Sequence, residues 1–145
     1  MPVYSYISYT ILLESMVYKM LSAWYRSWVT SYKTKEPPEL SLPRTTLQRL
    51  MAIRSNHGDF AWYHRRFKHE DARLECSCGQ PRNPLHLVRC RKARNKFAHW
   101  PERPVMPPHS DREAREYLLT LMAKPTLFAE YLATTEFYSK ICPSF

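Results

Sequence analysis

Cys76-Ser77-Cys78-Gly79-Gln80-Pro81-Arg82-Asn83-Pro84-Leu85-His86-Leu87-Val88-Arg89-Cys90 is the stretch on which the reading of the fold turns. It gathers three of the chain's four cysteines and one histidine. Three thiols and one imidazole are a complete donor set for one tetrahedral ion, and sulfur with nitrogen suits zinc. Asn83-Pro84 places a capping residue before a first-turn proline, which predicts a helix running to about Ala98. On that helix His86 and Cys90, four apart, share a face and can grip the same ion. Gly79 suits the tight turn that sends the chain back toward the helix. Other readings of the cluster stay open. One is three buried thiols beside an incidental histidine; another lets His64 or His69 replace a ligand. Cys76-x-Cys78 is one residue shorter than the commoner two-residue spacer and lacks the turn of a thioredoxin-like redox pair. Cys142 stands apart and reads as packing.

The 145 residues suit one domain or a domain with a tail. With 44% hydrophobic and 24% charged residues the chain can bury a core. Two glycines against twelve prolines leave little for phosphate-cradling loops or primed hairpins. That argues against a P-loop, a dinucleotide fold and a β-sandwich. The expected class is mainly α, a small helical domain with a Cys-Cys-His-Cys zinc knuckle and at most one short β element. Four cysteines, three of them within residues 76–90, are a poor disulfide scaffold, which points to reduced thiols in the nucleus or cytoplasm.

Working outward from the knuckle, the pattern predicts several helices. Leu13, Val17, Met20, Leu21, Trp24 and Trp28 recur at helical spacing in an aromatic N-terminal segment, residues 1–35, too interrupted by Glu14 and Lys19 to cross a bilayer. Pro37-Pro38 breaks the chain. Thr45-x-x-Gln48 offers a capping box for a helix with Leu47, Leu50 and Met51, and Asn56-His57-Gly58 supplies its stop, with Gly58 suited to a left-handed position. Asp59 can cap a short helix carrying Phe60, Tyr63, His64 and Phe67, and residues 72–75 read as extended. Beyond the prolines at 101–108, Ser110-x-x-Glu113 is a second capping box, ahead of Ala114, Tyr117, Leu118, Leu121 and Met122 on one side. Lys124-Pro125 interrupts, and Phe128, Tyr131, Leu132 and Thr135 pattern a last helix.

Charge is concentrated in the middle. Residues 44–103 hold fourteen basic and five acidic side chains, and so the entire formal +9 of the chain. On the predicted helix, Arg89, Arg91, Lys92, Arg94 and Lys96 fall around the circumference not taken by His86, Cys90, Ala93 and Phe97. Phosphates are the natural complement of such a cationic rod. Arg65, Arg66 and Lys68, beside Trp62 and Tyr63, extend the patch and add stacking surfaces for unpaired bases. Asp59 with His57 is a poor acid/base couple, because residues two apart in a turn bond locally. No Gly-x-Ser-x-Gly, no His-Glu-x-x-His and no paired carboxylates for magnesium occur.

Pro37–Arg44 (PPELSLPR), His57-Gly58-Asp59-Phe60-Ala61-x-Tyr63-His64-x-x-Phe67, His69–Ala72, Cys76–Gly79 and Pro84-x-His86-x-x-x-Cys90-Arg91 closely resemble the far C-terminal region of fungal Tad-like non-LTR (LINE) retrotransposon polyproteins. Phe137-Tyr138 and Ile141-Cys142-Pro143 look like that region's closing motif. The resemblance covers residues 36–145 and does not reach residues 1–35. It implies a zinc knuckle, with Cys76, Cys78, His86 and Cys90 as ligands, that helps hold RNA or DNA during target-primed reverse transcription. Neither a polymerase Tyr-x-Asp-Asp nor an RNase H carboxylate set lies in the chain, so catalysis is not implied. The expectation is a non-catalytic nucleic-acid-binding accessory module that contacts the phosphate backbone and takes no small-molecule substrate. The alternative is a retroelement fragment without selected activity, or one working through protein interaction.

Overall fold

The computed structural model describes residues 36–143, which include the knuckle and every helix expected beyond Pro38; the expected N-terminal helix lies outside the described residues. The described residues are mainly helical. A 3-10 turn, Pro38–Ser41, leads into α1 (Arg44–Ser55) and α2 (Ala61–Arg66). The knuckle follows, then α3 (His86–Arg89), α4 (Arg91–Arg94) and a 3-10 turn at Phe97–His99. Two longer helices, α5 (Asp111–Ala123) and α6 (Pro125–Thr135), precede a π turn at Phe137–Ile141. Among the described residues the β content is a single antiparallel bridge, Glu75 to Pro81, across the knuckle turn.

The two longer helices form from local signals. Ser110 Oγ accepts the Glu113 N–H at 3.2 Å, and Glu113 Oε2 accepts the Ser110 N–H at 3.1 Å, so the second capping box is closed. Pro125 occupies the first turn of α6, and Lys124 before it is extended, as a residue preceding proline prefers. Ala114, Tyr117, Leu118, Leu121 and Met122 from α5 are buried together with Phe128, Tyr131, Leu132 and Thr135 from α6. α5 and α6 pack on each other, α3 packs on α5, and α4 meets the π turn.

An aromatic cluster joins this pair to the knuckle. Trp100 stacks on Tyr117 with centroids 5.3 Å apart, and Tyr131 meets Trp100 edge-on at 5.1 Å. Their polar handles are all used. The Trp100 indole N–H donates to the Ala93 carbonyl, Tyr117 OH to that of Pro101, and Tyr131 OH to that of Leu87. Two of these acceptors, Leu87 and Ala93, flank Cys90, so the core grips the backbone on both sides of the last ligand.

Four expectations are corrected. The first capping box does not form: α1 begins after Pro43, which has no side chain to cap with. The helix does stop at Asn56-His57-Gly58, but the left-handed residue is Asn56, at φ 55°, a conformation that asparagine tolerates, and not Gly58. Gly58 is needed for proximity: a Cβ there would lie 2.8 Å from the Ala52 Cβ. Asp59 makes no cap for α2, because its carboxylate is engaged by His64 and Arg82. Finally, the expected helix from Asn83 to Ala98 is broken. Asn83 Oδ1 does accept the His86 N–H at 2.8 Å, but Cys90 is extended (φ −60°, ψ 126°), and the helix splits into α3 and α4.

Because Tyr131 OH reaches the Leu87 carbonyl at 2.6 Å inside the core, Tyr131→Phe should cost about 1–2 kcal/mol by leaving that acceptor unpaired. Denaturant unfolding of the two proteins measures the difference.

Candidate metal centre

Residues 75–81 build the first half of the site. The Gly79 N–H donates to the Cys76 carbonyl and the Cys76 N–H to the Gln80 carbonyl, both at 2.9 Å, closing a turn that points both sulfurs inward. Gly79 sits at φ 85° with open space around it, so its requirement is the backbone angle and not room for a side chain. The turn is docked on the chain's end: Ser77 Oγ donates to the Ile141 carbonyl, and Lys92 Nζ donates to Ser77 Oγ at 2.9 Å.

The second half comes from α3 and the break after it. His86 opens α3, and Cys90, buried, turns its sulfur inward at the junction with α4. Cys78 Sγ lies 3.3 Å from His86 Nε2 and Cys76 Sγ lies 3.9 Å from Cys90 Sγ. All four donor atoms fall within 4.8 Å of one another, a grouping able to hold a metal ion. Cys90 closes the last turn of α3, its N–H donating to the His86 carbonyl at 2.9 Å, so the two residues four apart do share a face, and the chain departs from the helix only after Cys90.

The electrostatics of the cluster match ligation. Burial, with the nearby Arg89 and Arg82 guanidiniums, holds the His86 imidazole down at about 4, so at neutral pH it is the uncharged ring that can coordinate. Burial pushes the Cys90 thiol up to about 12. Burial also acts to raise Cys76, but the Cys78 N–H and the neighbouring thiols of Cys142, Cys78 and Cys90 outweigh it and lower that group. A divalent cation would reverse the penalty on Cys90, because ligation deprotonates a thiol. None of the four cysteines is in a disulfide.

His64 and His69, weighed as substitute ligands, lie outside the cluster. His64 Nε2 is 2.8 Å from Asp59 Oδ1, and His64 Nδ1 is 3.0 Å from His69 Nδ1. Cys142 is buried, and burial pushes its thiol up to about 12. It packs beside the cluster without joining the four donors.

The candidate cations part into three groups. Arg89 is paired with Asp111, and Lys96 with Glu136 at 2.7 Å. Lys92 and Arg94 contact side chains other than carboxylates, those of Ser77 and His109. Arg65, Lys68 and Arg91 are exposed and have no ion pair with any described residue, and Arg66 lies over the Trp62 ring at 5.8 Å. With the helix broken at Cys90, these side chains do not line one rod.

Sequence reasoning missed Arg82, which it counted only as one more cation. Its side chain is buried and its guanidinium donates to Asp59, to the Glu75 carbonyl at 3.2 Å and to the Pro143 carbonyl at 2.7 Å. No periodicity marks it; its place between Cys78 and His86 was the one available signal. Among the described residues no helix is long and apolar enough to cross a membrane. No family model matches the chain, and neither does any curated protein or solved structure.

Cys90→Ala should abolish stoichiometric metal binding, whereas Cys142→Ala should leave it intact, because Cys142 adjoins the donor group without belonging to it. Metal analysis of the two purified variants by mass spectrometry checks the contrast; equal metal content would reject this ligand assignment.

Proposed function

We propose that the chain is a zinc-dependent, non-catalytic nucleic-acid-binding module, the role implied by its resemblance to the C-terminal region of fungal Tad-like retrotransposon polyproteins. The observation that carries this reading is the convergence of the Cys76, Cys78 and Cys90 sulfurs with the His86 ring. Zinc–sulfur bonds of about 2.3 Å and zinc–nitrogen bonds of about 2.0–2.1 Å give tetrahedral edges of about 3.8 Å and 3.6 Å. The separations of 3.9 Å and 3.3 Å are close to these, and all four donors lie within 4.8 Å of one another. Three sulfurs and a nitrogen disfavour magnesium and calcium, which take oxygen ligands. Four protein ligands also close the coordination shell and leave no position for water or substrate, which supports a structural ion over a catalytic one.

The polyanion is the phosphate backbone of RNA or DNA, met by cations that the fold does not itself consume. Arg65, Arg66, Lys68 and Arg91 are the principal contacts. Lys92 and Arg94, held by Ser77 and His109 and not by carboxylates, contribute after a small rearrangement. Arg89 and Lys96 contribute least, since each must leave a carboxylate. Reduced thiols fit the nucleus or cytoplasm.

Two measurements test the reading. The purified chain should carry one zinc, and a chelator should lower its melting temperature, because ligation and folding are coupled. Binding to an oligonucleotide should weaken with salt, log affinity against log salt falling with a slope of about −3 to −4 for four phosphate contacts. Arg91→Gln should reduce that slope by about 1 and Lys96→Gln by less. Affinity indifferent to salt would overturn the proposal.

A further inference from the structure

Beside the metal cluster lies a groove of about 420 Å³ between α2 and the segment leading into α3, with Trp62 on one wall and Gln80, Asn83 and Arg89 on the other. Its size is within the range of about 300–1,000 Å³ typical of small-ligand sites. Trp62 is 48% exposed, an unusual position for the largest apolar side chain. Planar groups already associate with its ring: His57 is near-parallel at 27°, with centroids 6.2 Å apart, and the Arg66 guanidinium lies 5.8 Å from the centroid.

We infer that this groove takes one unpaired nucleobase, stacked on Trp62 and read along its edge by the amides of Gln80 and Asn83. The inference rests on the nucleic-acid reading above and specifies it, making the preferred partner single-stranded. Every base has a flat π-face that can stack on an indole whatever its identity. Asn83 Oδ1 is already committed to the His86 N–H, which turns the remaining donors of its amide outward, while the exposed Gln80 amide offers both a donor and an acceptor. Carboxamides match the paired donor and acceptor atoms on base edges. Arg89 stands at the same groove beside Asp111, where it can exchange that carboxylate for the phosphate of the stacked nucleotide. A duplex cannot use the groove without unstacking a base, so pairing should exclude it.

The groove also ties recognition to the metal cluster. His86 lines it and at the same time supplies one of the four donors. The wall that carries Gln80 and Asn83 is the run between Cys78 and His86, so its position relative to Trp62 is set by the knuckle.

Two readouts on the full chain separate this inference from its parent. The first is the Trp62 indole N–H resonance during titration with a 5′-mononucleotide; it should shift, and inorganic phosphate at the same concentration should not reproduce the shift. The second is affinity for a single-stranded oligonucleotide and for its duplex. Trp62→Ala should weaken single-strand binding by about 5- to 150-fold, the range for one lost base stack, with the salt slope unchanged. Duplex affinity should stay the same, and Trp62→Phe should recover most of the loss. The exposure of Trp62 makes unfolding of the variant an unattractive explanation, and a melting curve checks it. If the indole is silent and Trp62→Ala binds like the parent chain while salt still weakens binding, the groove inference falls and the phosphate reading stands. If the indole responds but oligonucleotide affinity ignores salt, the phosphate reading falls and the groove remains a nucleotide site.

Discussion

Arg82 sets the frame in which the candidate centre exists. It is the one formally charged side chain in the buried set of the described residues, and a buried guanidinium is tolerable only when its donors are paired. Its partners come from three distant places: Asp59 after α1, the carbonyl of Glu75 next to Cys76, and the carbonyl of Pro143 at the end of the described chain. Arg82 itself lies between Cys78 and His86. The same side chain thus fixes where the cysteine turn sits, how far the spacer reaches, and where the C-terminal segment closes over both. Asp59 keeps some access to solvent, which moderates the cost of the pair, and it passes the constraint on to His64 and through it to His69.

The parts of the fold that were legible in the sequence are those whose causes are local. Ser110 and Glu113 specify a helix start by themselves, and the stripes on α5 and α6 are long enough for a 3.6-residue period to be unambiguous. The donor set was legible because its chemistry is visible in composition and spacing. The break at Cys90 was not, since Leu87 to Ala98 is a run of residues that would each be at home in a helix. What interrupts it is tertiary. Leu87, Val88, Cys90 and Ala93 are all buried, and the carbonyls of Leu87 and Ala93 are held by Tyr131 and Trp100. These contacts hold the backbone on both sides of the break at Cys90. Asn56 and Gly58 show a milder version of the same limit: both can stop a helix, and only the proximity of Ala52 decides which one must be glycine.

Charge was legible as a sum and misleading as a surface. Of the fourteen cations in residues 44–103, several are spent on the fold. Arg82 is internal, Arg54 serves Glu39 and the Met122 carbonyl, and Arg49 and Arg103 lie over the rings of Tyr138 and Phe97. A sequence pattern cannot separate such cations from those offered to a partner, because the distinction depends on contacts between segments far apart in the chain. The structure converts a continuous positive stretch into a few open positions on α2 and α4. That makes any interaction with a polyanion a matter of discrete contacts and not of a diffuse field.

The electrostatics of the cluster explain why an ion and a buried arginine should coexist in so small a region. α3 and α4 are four residues each, far below the length at which a helix supports itself. They are ordered by what they are tied to. On one side the ties are the aromatic core; on the other they are the four donors. With Cys90 held as a neutral thiol by burial, the sulfurs and the ring at 86 attract one another only weakly. A bound cation would convert that contact into bonds and remove the desolvation cost of the thiolate in the same step. Arg82 cannot perform this role, because each of its three side-chain nitrogens already donates to an oxygen away from the donor cluster. The two devices are complementary: the arginine positions the spacer, and an ion would fix its ends. The α5–α6 pair has a capping box and apolar faces of its own but shares its core with Leu87, Val88 and Cys90, so loss of an ion would act first on residues 76–94 and on the groove they wall.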